Sequence, residues 1–356
     1  MKDNYFKELQ EQINALMFKS EIERRRDGGV DFIKQMMLFK VFKVAIVLLF
    51  FFYSCNTDPK EKPSTENGVN VAKEDVPNFN ADSAFSFVKK QVDFGPRVPN
   101  SKAHDDCAKY LVKKFESYGL TVNQQKGVVK GYDGKSLNFN NISAQYQPNN
   151  PKRVMISAHW DSRPWADHDD RDTSKPIDAA NDGASGVAVM LEIARLISKM
   201  KLDVGVDFVC FDIEDYGKPW VDDSYCLGSQ HWSKNFPLKY KPIYGVNLDM
   251  VGDPSAVFTY EGLSVEYGKL IVDKIWSSAH TLGYGKYFSF DQTSPIIDDH
   301  AYVNRYANFP CIDIIDRSTP HSFSATWHTH DDNIKNISPQ TLKAVGQTLM
   351  FVLSYE

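Results

Sequence analysis

From about residue 100 onward, short apolar runs alternate with amphipathic helical stripes, and several of the runs stop on a histidine or a carboxylate. Residues 154–158 lead into His159, 206–213 into Glu214 and Asp215, and 243–248 into Asp249. Helical stripes are expected over 103–118, 185–200, 263–282 and 339–355, with a further strand at 311–315. Residues 137–146 alternate as a half-buried strand does. Strand and helix signals in alternation predict an α/β fold. We expect a three-layer sandwich, with a mixed, mostly parallel central sheet and helices on both faces. The nearly continuous apolar run 206–213 suits a central strand covered on both sides. Ligands of open α/β sheets gather beyond the carboxyl ends of the strands. His159, Glu214, Asp215 and Asp249 are therefore expected to converge on one edge.

The overall charge balance narrows the partners. A formal charge of −5 offers no basic surface for a nucleic acid, and none is expected. The 23 Phe, 17 Tyr and six Trp suit a large core with an apolar pocket. Residues 77–356 show neither repeats nor low-complexity sequence and are read as one catalytic domain, with a monomer expected.

The N-terminal stretch reads differently. Lys40 and Lys43 precede an unbroken apolar run, Val44 to Tyr53, too short to span a bilayer and suited to the core of a signal peptide. Residues 36–55 are expected to be a lipoprotein leader ending at Cys55, with Phe52 and Tyr53 departing from the usual small aliphatic pattern. Residues 1–35 read as a long n-region or as sequence ahead of a start at Met36 or Met37. Residues 56–76, polar and charged, read as a flexible tether. The expectation is an exported protein, lipid-anchored through Cys55 on the periplasmic or cell-envelope side. Of the other cysteines, Cys210 and Cys311 lie inside apolar runs, where buried free thiols are expected.

The chemistry is carried by dispersed His and carboxylate residues, the donor types that zinc takes. Asp182, in AANDGASG, sits among small residues that let backbone approach a metal; helix capping by Asp182 or Ser185 is the alternative. Glu214 and Asp215 end a buried run, where uncompensated charge is costly. One can bind a metal while its neighbour works as a general base. His159 and Asp249 could support that site or hold a second zinc. His328 in TWHTHDD is a further ligand candidate, with His330 as competitor. Asp298, in DDHAYVN, is a candidate for catalysis or for helix capping.

Taken together, SAHWDSRPWAD, AANDGASGVAVMLEIARL, FDIEDYG, YCLGSQHW, NLDMVGD, DDHAYVN and WHTHDD resemble the zinc aminopeptidase family that also contains the glutaminyl cyclases. The likeness runs from about Phe94 to Leu353. It is strongest to glutaminyl-peptide cyclotransferases of the bacterial, animal-like type, because Trp220 and Trp327 match their pocket tryptophans. The resemblance implies one zinc on Asp182, Asp215 and His328, with Glu214 as acid/base and Asp298 and Asp249 ordering the proton path. It also implies that Trp220 and Trp327 contact the substrate. Three departures stand out, the first being that Asp215 takes the place of a metal-binding glutamate of the animal enzymes. Asp313 replaces a histidine of the animal network, so that Asp298 and Asp313 could share a proton, and Ala158 replaces a disulfide cysteine.

The activity so implied is cyclisation of N-terminal glutamine in peptides or proteins, with release of ammonia. A two-zinc aminopeptidase uses the same residues differently. His159 and Asp249 would hold the second zinc, Asp182 would bridge, and Glu214 would activate water. A non-catalytic surface binding module is the third reading; its weakness is that every ligand is retained.

Overall fold

A computed structural model describes residues 76–318 and 323–356. The expected leader, Cys55 and all but the last residue of the 56–76 tether lie outside the described residues. No helix among the described residues is long and apolar enough to cross a membrane.

Two helices open the fold. Helix α1 (Ala81–Val92) is capped by Asn80, whose side chain accepts from the Ser83 amide. Helix α2 (Lys102–Ser117) is capped by Ser101 and buries Cys107, Leu111 and Phe115 along one stripe. Gly119, at φ +80°, turns the chain out of α2 through the left-handed region that glycine tolerates. Strands β1 (Thr121–Lys130) and β2 (Ser136–Tyr146) form an antiparallel hairpin. Then follow β3 (Arg153–His159), α3 (Ala184–Ile197), β4 (Gly205–Phe211), α4 (Leu227–Lys234) and β5 (Tyr244–Asp249). The remainder is β6 (Phe258–Tyr260), α5 (Gly262–Thr281), β7 (Phe288–Gln292), α6 (Asp299–Tyr302), β8 (Cys311–Ile315) and α7 (Pro339–Leu353).

The main sheet has the order β1-β2-β4-β3-β5-β8. Strands β4, β3, β5 and β8 are mutually parallel, while β2 pairs antiparallel with β4. Period-two alternation divides the side chains between two cores. Val154, Ile156, Val206, Phe208, Val246 and Ile312 face the layer that contains α1, α2, α3, α5 and α7. Met155, Val209, Phe211 and Cys311 face Trp232 of α4 and Val303. The predicted fold class is what the structure has.

Because the four parallel strands run the same way, His159, the segment after Phe211, Asp249 and the segment after Ile315 emerge at one edge. Helix α3 lies close over that edge. A Cβ on Gly186 would stand 2.4 Å from the Leu248 carbonyl oxygen and 2.8 Å from the Ala158 Cβ. Gly186→Ala is therefore expected to destabilise the fold by about 1–3 kcal/mol through overpacking. Denaturant unfolding checks this, and an unchanged midpoint would contradict the close approach.

Candidate active site

Strand β3 delivers His159 to the sheet edge. Its Nε2 stands 2.8 Å from Asp182 Oδ1 and 3.4 Å from Asp249 Oδ1. Gly183 makes this approach possible, since a Cβ there would come within 2.4 Å of the imidazole. On the other side of Asp182, His328 Nε2 lies 3.8 Å from Asp182 Oδ2 and 3.3 Å from Asp215 Oδ1. Two donor clusters result, Asp182–Asp215–His328 and His159–Asp182–Asp249, each with its ligand atoms within 4.8 Å of one another. Asp182 belongs to both.

The loops that carry these ligands are held by buried carboxylates. Asp161 accepts the Glu214 and Asp215 amides at 3.0 and 3.2 Å. Asp332 accepts the Asn181 and Asp182 amides at 2.6 and 3.1 Å. Ser185 and Asn181 take the amides of Val251 and Gly252, tying the loop after β3 to the loop after β5. Around the site Ile213, Trp220, Cys226, Met250 and His328 all have positive φ. For residues other than glycine that conformation is costly, and such residues gather at functional sites.

The capping alternative for Asp182 does not hold. Helix α3 begins at Ala184 after Gly183 and has no side-chain cap, and the Ser185 hydroxyl donates to the Asn181 carbonyl and accepts from the Val251 amide instead. His330 does not compete as a ligand either, because its ring contacts the Asp172 carbonyl, away from both clusters. Of the two roles foreseen for Asp298, the structure shows the helix cap and leaves the carboxylate within reach of the site. It caps α6 by accepting the Asp299 amide, and it lines the cavity.

That cavity, about 540 Å³, has an acidic floor of Asp182, Glu214, Asp215, Asp249 and Asp298. Trp220, Trp327 and Phe323 are among its apolar walls. Trp327 stacks on His328 with ring centroids 3.8 Å apart. Trp220 is fully exposed at the mouth. Behind the floor, Asn247 donates to Asp298 Oδ2 at 2.8 Å and to Asp313 Oδ1 at 3.3 Å. Burial and the charge of Asp298 push the Asp313 carboxyl well above its usual range.

Crowded carboxylates shape the electrostatics. Burial raises Glu214 well above an ordinary glutamate, and Asp215, Asp298 and Asp299 add to the effect while His159 opposes it. Burial likewise pushes Asp249 up to about 7, with Asp182 and Asp298 adding to it against His159. A cation offsets such repulsion. Asp215 Oδ2 is buried and has no hydrogen-bond donor, so one oxygen of this ligand is left for a metal. Carboxylate oxygens and imidazole nitrogens are donors that fit zinc.

Sequence reasoning missed Asp161, Arg163, Asp167, Asp332 and Cys226. Cys226 opens α4 and donates its thiol to Glu214 Oε1 at 3.3 Å. Asp161 had a signal, standing two residues after His159 within a quoted motif. Arg163 and Asp167 stand in the same motif, Cys226 in YCLGSQHW and Asp332 in WHTHDD, but none of them ends a strand-like run.

A mixed, mostly parallel sheet covered on both faces, with acids and imidazoles at its carboxyl edge, defines a metal-dependent α/β enzyme of the peptidase type. The chain belongs to peptidase family M28, whose profile matches residues 141–353. Among solved structures it is similar to the glutaminyl cyclase of Bacteroides thetaiotaomicron, at 46% identity and a TM-score of 0.77, covering 79% of this chain and 99% of that one. A leucine aminopeptidase precursor from the same organism matches at 46% identity and 0.76, covering 79% and 99%. The glutaminyl-peptide cyclotransferase of Bos taurus is 26% identical over 250 residues, 61% of this chain. The chain spans 66% of the length of that relative.

Proposed function

We propose that this protein cyclises N-terminal glutamine of peptides or proteins to pyroglutamate and releases ammonia. The observation that carries the reading is one cavity combining the Asp182–Asp215–His328 cluster, the free acid Glu214 and the two tryptophans Trp220 and Trp327. The similarity to the Bacteroides glutaminyl cyclase supports it.

Asp182, Asp215 and His328 are the residues that would hold a single zinc. When bound, zinc supplies Lewis-acid polarisation of the side-chain carbonyl. Glu214 takes a proton from the substrate's α-amine as that nitrogen attacks the γ-carbonyl carbon. It then delivers the proton to the departing amide nitrogen, so the C–N bond breaks and ammonia leaves. No water is consumed. Both reacting groups belong to one residue, so holding the amine against the carbonyl supplies much of the acceleration. Trp220 and Trp327 flank the glutamine side chain. Asp298, backed by Asn247 and Asp313, and Asp249 keep the proton path ordered.

The same proposal puts the enzyme outside the cytoplasm, anchored through Cys55 and spaced from the membrane by residues 56–76. Its support is the apolar leader and the polar composition that follows.

A two-zinc aminopeptidase is the second reading, favoured by the intact His159–Asp182–Asp249 cluster. One experiment separates the two. The purified protein is incubated with a Gln-initiated and a Leu-initiated peptide, and both are followed by mass spectrometry. The expected result is loss of ammonia from the Gln peptide alone, stopped by a chelator. Release of the first residue from either peptide, without loss of ammonia, would establish the peptidase instead.

A further inference from the structure

Two of the three zinc-ligand candidates are joined by a closed ring of polar contacts that includes no other ligand. The Arg163 guanidinium donates through Nη1 to Asp215 Oδ1 at 2.9 Å and to the Asp215 carbonyl at 3.0 Å. Its other edge is a fork on Asp167, with Nε to Oδ1 at 2.7 Å and Nη2 to Oδ2 at 2.6 Å. Asp167 Oδ1 in turn stands 3.1 Å from His328 Nδ1. His328 Nε2 closes the ring, 3.3 Å from Asp215 Oδ1. The guanidinium is completely buried and lies over the rings of Trp165 and Tyr225.

The geometry decides which atoms remain for a metal. Asp215 has one oxygen tied to Arg163 and one, Oδ2, with no donor. The Asp167 carboxylate stands within ion-pair distance of Nδ1, off hydrogen-bond geometry, which favours a proton on that nitrogen and leaves Nε2 facing Asp182 and Asp215. Asp182 is independent of the ring, its backbone being held by Asp332. We propose that Arg163 and Asp167 act as a single clasp that positions Asp215 and His328 for zinc. Arginine is required because only its planar fork reaches two carboxylates at once in fixed geometry; lysine is a single point donor. The inference rests on the zinc reading given above.

The test uses the full-length chain as wild type, Arg163→Lys, Asp167→Ala and the double variant. Zinc affinity is measured by competition with a chromogenic chelator, and thermal melting is recorded without metal. Each single variant is expected to bind zinc about 10–100-fold more weakly than wild type. The double variant should be no weaker than the poorer single one by more than about twofold, since each change opens the same ring. Metal-free melting should stay close to wild type, and Asp167→Asn replaces Asp167→Ala if the latter does not fold. Wild-type affinity in the variants would overturn the clasp. So would fully additive losses, which mean two separate contacts, or losses matched by lower metal-free melting, which mean a structural role. A wild-type protein that binds no zinc would remove the underlying reading as well, and the wild-type curve alone reveals that case.

Discussion

Replacing Glu214 by Gln is expected to lower kcat/KM for a Gln-initiated peptide by about 10²–10⁴-fold, the usual contribution of general acid–base catalysis. The substitution is close to isosteric. The Cys226 thiol can still donate to Oε1, and Asp161 still accepts the backbone amides of residues 214 and 215. Glu214 belongs to neither zinc-ligand cluster of the proposal, so zinc content should match wild type. The pH profile carries the sign of the assignment. A base must be ionised to accept the amine proton, so activity should fall as pH drops through the Glu214 pKa. Burial and neighbouring acids raise that pKa, which moves the acid limb upward from the ordinary glutamate range. In Glu214→Gln that limb should vanish from the residual activity. A variant that keeps more than about a tenth of wild-type activity, or that retains the limb, would take the base role away from Glu214.

Legibility of the fold depended on burial. Strands β3, β4, β5 and β8 are buried along their whole length, so each left a mostly apolar run, interrupted only by Ser157, Asp207, Asn247 or Asp313 in its interior, whose end marks the site edge. The edge strand β1 left none. Its Thr-Val-Asn-Gln-Gln-Lys sequence is mostly exposed, and hairpin pairing with β2 determines its conformation rather than a core. Helix α4 was missed because it is short and enters from Cys226 at positive φ, with no side-chain cap to mark its start. The site divided in the same way. Residues at strand ends, His159 and Asp249, followed from pattern and topology, whereas assigning Asp182, Asp215 and His328 to one zinc needed the family resemblance. Asp167 and Arg163 sit in a coil segment rich in Asp, where composition cannot distinguish a solvated carboxylate from one locked to a buried guanidinium.

Asp182 is the residue whose loss should be felt most, because it is the one ligand shared by the two clusters. Asp182→Ala is expected to abolish zinc retention and to cut cyclisation by on the order of 10³-fold or more, since Lewis-acid assistance is worth several kcal/mol. It also removes repulsion. Asp249 and Asp332 are both pushed up mainly by burial but also by the Asp182 charge, to about 7 and about 8. The metal-free variant should therefore melt no lower than metal-free wild type, which separates loss of function from loss of fold. His159→Ala then decides the number of ions. If one zinc rests on Asp182, Asp215 and His328, wild type holds one ion per chain and His159→Ala still holds one. If the second cluster is filled, wild type holds two and the variant drops to one. Metal analysis of the two proteins gives the answer without reference to rate. A count of two would shift the weight of the argument toward the peptidase reading, because a second ion on His159 and Asp249 is what activation of water by Glu214 would use.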